Sequence, residues 1–319
     1  MARRILHRAC LSAATLLVVT ALVHAAASLL PRAPLGGDGP GDERPITPAS
    51  PASPPPVLSY PSWLAGLTRL DLGRSTAVEP GRPVSAMIAA ALPFSLLLGG
   101  AAFGLSMALA LPLAAAASWR PGSPGLRAAD ALVYILHALP VFWLALLLQN
   151  VAAVRLRILP LMGAGPLDPA DQAGFSRAAH WVLPVAALGL GSLAFAVRLA
   201  GGALKDASRA RFAQACRARG AGDARILMTH GMASAAVPLV SLASMLLPAL
   251  VSGSVVVESI FALPGMGRLF LLAALRRDEP LLTSIALLSA AATLAAGLAA
   301  EILSSALDPR ARRQDEASS

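Results

Sequence analysis

Charge is the scarcest property of this sequence. Only 13% of its 319 residues are Asp, Glu, Lys or Arg, whereas 56% are hydrophobic and the mean hydropathy is +0.67. Soluble domains carry about 25% charged residues, so this composition excludes an ordinary soluble domain and predicts an all-α membrane protein with several spans. The formal net charge of +9 then indicates arginines in loops at the membrane surface, and we expect a lipid bilayer and no nucleic acid as partner.

Cysteine and lysine are almost absent, and each absence excludes a class of site. The two cysteines, Cys10 and Cys216, indicate neither a disulfide framework nor a metal site. Lys205 is the single lysine, and it follows Leu204, whereas a phosphate-binding P-loop needs its lysine directly after a glycine. We therefore expect no cofactor and no metal on this chain, and any ATP that drives it must bind to another subunit.

The chain also lacks the motifs of membrane enzymes. It contains no His-Glu-x-x-His, no Gly-x-Ser-x-Gly and no paired aspartates of an intramembrane protease. Few ionisable residues lie in or beside the apolar runs, and most of them are near the ends, where long side chains reach the interface. They are His137, His180, Arg198, Glu258 and Glu301. We expect no catalytic residues.

Six runs are long and apolar enough to span a bilayer, which needs about 20 such residues. They lie at about 9–30, 93–118, 131–154, 179–200, 235–257 and 281–306. The first run follows Arg3 and Arg4, and HAAAS at 24–28 is an acceptable cleavage site. It is therefore a retained span or, alternatively, a cleaved signal peptide.

The remaining segments predict four parts of the chain. The first part, 1–30, holds a cytosolic tail and the first span, and the second, 31–84, is an external linker followed by an amphipathic helix and turn. The linker, 31–56, is rich in Pro, Gly and Ser, a composition that does not form a packed core. A five-helix core at 85–306 and a cytosolic tail at 307–319 complete the chain. Lys and Arg are denser in the segments that lie inside when both termini are cytoplasmic, which favours that orientation.

The loop at 201–234 has more Lys and Arg than any other segment between two predicted spans. Residues 203–220 have good helix formers with basic side chains among them, which predicts a helix. Gly220 is expected to end this helix, because glycine adopts the left-handed conformation that such an end prefers. Asp223 is placed to cap a second helix, so the loop is predicted to form a helix pair on the cytoplasmic face.

This loop resembles a known motif. The segment ACRARGAGDARILMTHGMASAAVP (215–238) is similar to the cytoplasmic EAA-type loop of inner-membrane permease subunits of bacterial ABC importers for dipeptides, oligopeptides and nickel. Gln214 stands where the wider EAA consensus has glutamate. The other loop residues that carry the resemblance or the predicted helix boundary are Ala215, Arg217, Ala218, Arg219, Gly220, Asp223, His230 and Pro238. Thr229, Ser234 and Ala235 depart from the family pattern.

A longer stretch, GSVVVESIFALPGMGRLFLLAALRRDEPLL (253–282), resembles the same family more specifically. The matching residues are Glu258, Phe261, Pro264, Gly265, Gly267, Arg268, Arg277, Asp278 and Pro280. A third match is LDPR at 307–310, and weaker similarities extend the resemblance over most of 60–312. The resemblance suggests a re-entrant external turn at the mouth of the pathway. From the residues themselves, an internally bonded turn and a docking surface for another protein remain equally open.

The resemblance implies a type I importer permease fold with six transmembrane helices and cytoplasmic coupling helices. It implies four kinds of partner: a second permease as homo- or heterodimer, two ATP-binding cassette subunits, an extracytoplasmic solute-binding protein and the inner-membrane lipid. ATP hydrolysis is then expected on the partner subunits. An ion-driven secondary transporter is the alternative from another class, and it would require intramembrane carboxylates and repeat symmetry. The solute, peptide or nickel chelate or another compound, is left open.

Overall fold

The computed structural model describes residues 14–26, 56–119, 123–161, 176, 178–226 and 254–307. This part of the chain is helical, with one isolated bridge between Arg74 and Pro83. The helices are α1 Ala14–Ala26, α2 Pro56–Leu67, α3 Val84–Trp119, α4 Pro124–Ala138, α5 Val141–Leu148, α6 Ala179–Arg209, α7 Arg211–Ala218, α8 Asp223–Ile226, α9 Val255–Ile260, α10 Met266–Arg276 and α11 Glu279–Leu307. A π-helix, Gln149–Arg155, continues α5.

Within the described ranges, three helices are long and apolar enough to cross a membrane. The candidate spans are Val84–Ser118, Ala179–Ala207 and Glu279–Ala299, and they confirm the predicted runs at 93–118, 179–200 and 281–306. The first predicted run contains α1, an apolar helix of fewer than 18 residues. The fifth predicted run, 235–257, lies almost wholly outside the described residues.

The predicted span at 131–154 is not one straight helix. It consists of α4 and the α5–π-helix segment, which meet at an angle of 106°. Leu139 has an extended backbone (ψ 130°) and Pro140 follows it. Proline lacks an N–H donor and disfavours helical geometry at the residue before it, so the chain bends here. With this pair taken as one bent span, the described residues contain up to four spans.

The predicted helix at 203–220 is also broken. Helix α6 ends at Arg209, Ala210 is extended with ψ 151°, and α7 starts at Arg211. The break lets Ala213 be fully buried while the neighbouring arginines of α7 stay exposed. The whole segment favours a helix, but burial of the face of α7 that carries Ala213 is more favourable than one continuous helix.

The chain divides into two compact units. The first contains Met1–Ala90 and Phe270–Ala290, and the second contains Ala91–Leu269 and Ala291–Ser319. In the second unit, α4, α5 and α9 pack against α6. Its main core joins side chains from α3, α5, α6 and α9, and its buried members are Leu98, Ala145, Leu183, Ala187, Val257, Phe261 and Leu263.

Small residues let α3 and α6 approach each other closely within the second unit. A methyl group at Gly189 of α6 would lie 2.9 Å from the carbonyl oxygen of Ala102 in α3. Such glycine contacts are typical of membrane helix packing. Elsewhere large apolar side chains are exposed, including Ile135 at 59% and Trp143 at 46%, as expected for helices that face lipid.

In the first unit, a hydrogen bond between the hydroxyl groups of a threonine and a tyrosine joins α1 and α2. The Thr20 Oγ1 and Tyr60 Oη atoms lie 2.8 Å apart, and Thr20 is buried. The ring of Tyr60 also stacks on Trp63 with centroids 5.9 Å apart. Helix α2 and the turn after it occupy the segment where the sequence predicted a helix and turn. That turn reaches α3 at Val84, whose N–H donates to the Gly73 carbonyl at 3.0 Å.

Candidate functional site

The turn between α9 and α10 is organised around one buried carboxylate, that of Glu258. Its side chain is 1% exposed. The Ser95 hydroxyl of α3 donates to Oε1 at 2.7 Å, and the backbone N–H of Ser254 donates to the same oxygen at 3.2 Å. The backbone N–H of Arg268 donates to Oε2 at 3.0 Å. A single side chain therefore connects the start of α9, the start of α10 and the middle of a candidate span.

The Ser95 hydroxyl extends this network because it also accepts from the N–H of Met266, at 2.7 Å. Helix α10 begins at Met266, and the first N–H groups of a helix have no partner within it. Glu258 and Ser95 supply the missing acceptors for Met266 and Arg268, and a further bond comes from the backbone N–H of Gly267. The carboxylate thus caps α10 and lies where the helix dipole favours negative charge.

Two glycines allow this close packing. A methyl group at Gly265 would lie 2.7 Å from Glu258 Oε1, and one at Gly267 would lie 2.6 Å from the backbone nitrogen of Val255. Both positions are therefore closed to any larger residue without rearrangement. Phe261 closes the turn from the other side and is 1% exposed in the main core.

The electrostatics of Glu258, which lies outside the candidate spans, reflect two opposed effects. Burial raises the pKa of Glu258 above its ordinary value, because the charged form loses solvation, and the hydrogen bonds from Ser95, Arg268, Gly267 and Ser254 act in the opposite direction. The guanidinium of Arg268 does not pair with this carboxylate. It donates instead to the Ala262 carbonyl at 2.8 Å.

A second polar side chain, Gln149, holds the same turn from the bent α5–π-helix segment. Its side chain is buried, and Nε2 donates to the Leu161 carbonyl at 2.8 Å and to the Ile260 carbonyl at 3.3 Å. Ile260 is the last residue of α9. The turn is thus attached to α3 through Ser95 and to the π-helix through Gln149.

Asp278 organises a separate turn in the first unit. Its carboxylate is fully buried and accepts from the Ser75 hydroxyl. Oδ2 also accepts from three successive backbone N–H groups, those of Thr76 at 3.2 Å, Ala77 at 3.1 Å and Val78 at 3.0 Å. Successive N–H groups of this kind form a concave anion site, which the chain fills with its own carboxylate.

At Asp278, the hydrogen bonds lower the pKa by more than burial raises it. Burial by itself raises the pKa, but the bonds from Ser75, Val78, Ala77 and Thr76 together bring the pKa of Asp278 below its ordinary value of 3.8. The neighbouring arginines differ from one another. Arg276 donates to the Val78 carbonyl at 3.2 Å, whereas Arg277 Nη1 is buried without a hydrogen-bond partner among the described residues.

Helices α7 and α8, the helix pair of the 201–234 loop, follow the end of a helix that contains a candidate span. Helix α7 ends with Gly220 in the left-handed conformation (φ 83°), and the N–H of Ala221 donates to the Cys216 carbonyl at 3.0 Å. This is the glycine-terminated helix end that the sequence predicted. Helix α8 starts three residues later, at Asp223, where the second helix was expected.

The structure sorts the predicted site residues into three places. In the second unit, most of the residues that were predicted to form an external turn come together between α9 and α10. Pro264 is exposed and Arg268 half-buried, and the others are buried: Glu258, Phe261, Gly265 and Gly267. Asp278 lies in the first unit with Ser75. On the inner loop, the side chains of four predicted residues are exposed, namely Gln214, Ala215, Arg217 and Arg219. His230 and Pro238 lie outside the described residues.

Sequence reasoning missed Ser75, Ser95 and Gln149, which bind these turns from a distance. Ser95 and Gln149 are polar residues next to strongly apolar runs, PFSLLL and LALLLQN. A polar side chain within or at the end of such a run is a signal of a specific partner. Among the described residues, no three His, Cys, Asp or Glu side chains are grouped to hold a metal ion.

Known proteins resemble this chain over most of its length. It is 32% identical over 256 residues to the oligopeptide transport system permease protein AppB of Bacillus subtilis, covering 80% of each chain. It is 30% identical over 318 residues to a putative peptide transport system permease protein of Brucella abortus, covering 98% of this chain and 99% of the other. The dipeptide transport system permease protein DppB of Bacillus subtilis is 28% identical over 285 residues, covering 88% of this chain and 89% of its own.

A family model agrees with these relatives. The family described as "Binding-protein-dependent transport system inner membrane component" matches residues 100–313. The match includes the bent α4–α5 pair, the α7–α8 pair and the Glu258 turn, and it ends beyond α11. This chain therefore belongs to the family of inner membrane components of binding-protein-dependent transport systems.

Proposed function

We propose that this chain is a permease subunit of an ATP-driven ABC importer for peptides, and that it forms the translocation pathway with a second permease. Family membership supports the transport role, and the relatives named above are permeases of oligopeptide, peptide and dipeptide systems. A multi-pass protein of the inner membrane agrees with the apolar helices of the described residues. The chain itself is not an enzyme, because ATP hydrolysis takes place on two separate ATPase subunits.

The observation that carries this proposal is the inner helix pair at the end of α6. A 31-residue helix that contains a candidate span ends at Arg209, and one residue later α7 starts in a new direction. Since α7 is directly attached to α6, a displacement of α7 is transmitted to the span. The exposed side chains of Gln214, Arg217 and Arg219 are suited to pair with acidic or polar groups on an ATPase. Closure of the two ATPases around ATP would then move the spans as rigid bodies.

The same proposal sets the orientation of the chain. With α7 and α8 in the cytoplasm, both termini are cytoplasmic, and the Glu258 turn lies at the external mouth of the pathway. The extracytoplasmic solute-binding protein delivers its peptide to this side. The turn is built from buried residues, so its exposed neighbours, such as Pro264 and Val256, are the positions offered to a docked protein.

Purification and reconstitution of the transporter test the proposal. The chain, expressed with the partner genes beside it, should co-purify with two ATPase subunits and a second permease. In proteoliposomes, the complex should take up peptides only when ATP and the solute-binding protein are both present. Uptake driven by an ion gradient, by this chain alone and without ATP, would identify a secondary transporter and disprove the proposed function.

A further inference from the structure

We infer that Gln149 is a positioning residue for transport, which fixes the α9 end of the external turn to the segment after the π-helix so that both move together. The inference rests on the proposed function, because it assigns the turn to the external side of the pathway. The amide of Gln149 is buried and makes two contacts. Nε2 of Gln149 reaches the Leu161 carbonyl at 2.8 Å and the Ile260 carbonyl at 3.3 Å.

The two acceptors belong to different parts of the chain. Leu161 lies 12 residues after Gln149 and Ile260 lies 111 residues after it. An amide nitrogen has two hydrogens, and here each of them has one carbonyl acceptor. Ile260 is the last residue of α9 and Leu161 lies outside the helices, and backbone oxygens at such positions often have no partner within a helix. Loss of the amide at the buried Gln149 position would remove the donor of both acceptors, which is costly.

The local backbone supports a specialised role for Gln149. The residue stands where α5 changes into the π-helix Gln149–Arg155. Segments of this kind are rare and occur often at functional sites. Two wide turns lie at the end of the π-helix. The N–H of Leu156 donates to the Val151 carbonyl, and the N–H of Ile158 donates to the Ala152 carbonyl. This winding brings the chain back toward Gln149, so that Leu161 comes within reach of its amide.

Apolar packing joins the same two segments. Ala152, Ala153, Leu159 and Ile260 pack against one core cluster, which contains Val257 and Phe261. Packing alone is not directional, whereas the two hydrogen bonds of Gln149 fix the relative register. The turn is also bound to α3 through Ser95 and Glu258. In the transport cycle, movement of the bent span therefore displaces the turn directly.

The adjacent residue provides a matched control. Asn150 carries the same amide group, lies in the same π-helix and is exposed. Gln149→Met keeps the length of the side chain and removes both donors, and Asn150→Leu removes an amide that holds no carbonyl among the described residues. Each buried hydrogen bond shifts an equilibrium by about fivefold. We expect Gln149→Met to lower the number of peptides transported per ATP hydrolysed by about 5- to 25-fold, the effect of one or both bonds, and Asn150→Leu to change it less than twofold.

The measurement uses the complete complex in proteoliposomes with the solute-binding protein and a mixed tripeptide pool, quantified by mass spectrometry beside phosphate release. The ratio of peptide to ATP is independent of how much complex assembles, so a merely lower yield would not change it. A ratio for Gln149→Met equal to that for Asn150→Leu would overturn the inference. If the wild-type complex showed no ATP-dependent uptake, the proposed function itself would fail, and the inference with it.

A second measurement does not depend on the folding of any Gln149 variant. Leu161 and Val256 are 43% and 46% exposed, so Leu161→Cys and Val256→Cys can each carry a spin label after Cys10 and Cys216 are replaced by serine. In the otherwise wild-type complex we expect one distance between the labels, the same in the resting and ATP-trapped states. A distance that changes between these states would refute joint movement, even if peptide uptake were normal.

Discussion

The most direct test of the external turn is Glu258→Gln, which preserves shape and removes the charge. The two carboxylate oxygens accept from the Ser95 hydroxyl and from the N–H groups of Ser254, Gly267 and Arg268. An amide has one acceptor oxygen and one donor nitrogen. In either orientation, its NH2 group faces at least one backbone N–H, which then has no acceptor.

The expected magnitude follows from this count. Hydrogen bonds to a charged acceptor contribute about 1.5–3 kcal/mol each, and a buried donor without a partner costs about 1–3 kcal/mol. The neutral amide is less costly to bury than the carboxylate, which offsets part of the loss. We therefore expect Glu258→Gln to lower the free energy of unfolding by about 2–3 kcal/mol.

Reversible unfolding of the purified protein in mixed detergent and dodecyl sulfate micelles at pH 8 measures this change. Glu279→Gln is the matched control, because the Glu279 carboxylate makes no hydrogen bond or ion pair among the described residues. Its position at the start of α11 contributes only through the helix dipole, so we expect a change below about 1 kcal/mol there. Ser95→Ala should be non-additive with Glu258→Gln by at least about 1 kcal/mol, since the two share a bond. Equal stability of Glu258→Gln and wild type would refute the carboxylate-centred turn.

Three further predictions concern the other residues that define the turns. Gly265→Ala should destabilise the protein by about 1–3 kcal/mol, because its methyl group would meet the Glu258 carboxylate. In the same unfolding assay, the control Gly100→Ala should be neutral or stabilising, because a methyl group at Gly100 has no other atom within 4 Å. The pKa of Asp278 is lowered, so its stabilisation is present above pH 3.8 and is lost as pH falls below that value. The difference in unfolding free energy between wild type and Asp278→Asn should therefore shrink below pH 3.8, and a constant difference would contradict the assignment. Gly220→Val should abolish ATP-coupled uptake without preventing membrane insertion, because valine disfavours the left-handed backbone of this position (φ 83°). The control Gly222→Val should transport normally, because Gly222 has no such φ and equally open surroundings. Wild-type uptake by Gly220→Val would count against the coupling role of the loop.

Local features of the sequence were sufficient to predict several elements. The apolar runs at 93–118, 179–200 and 281–306 became α3, α6 and α11, because length and hydropathy are properties of the run itself. The helix end at Gly220 followed from the conformational freedom of glycine. The family was recognised from motifs such as PGMG (264–267), whose glycines turn out to be required by close contacts with Glu258 and Val255.

The sequence was less informative where packing competes with local preference. Residues 203–220 have good helix formers throughout, yet the chain turns at Ala210 so that Ala213 is buried. The run at 131–154 is apolar enough to span, yet it bends by 106° beside Pro140. Proline makes a bend possible, but its angle depends on the helices that pack on either side.

Hydropathy, glycine positions and motifs are encoded locally, so they were sufficient to predict a membrane permease and the helix end at Gly220. The hydrogen-bond partners of the carboxylates, in contrast, depend on the folded structure. Glu258 binds Ser95, 163 residues away, and Asp278 binds Ser75, 203 residues away, and Gln149 reaches Ile260 across 111 residues. Such partners are chosen by packing, since a buried polar group must find its hydrogen bonds wherever the folded chain brings a donor or acceptor close to it.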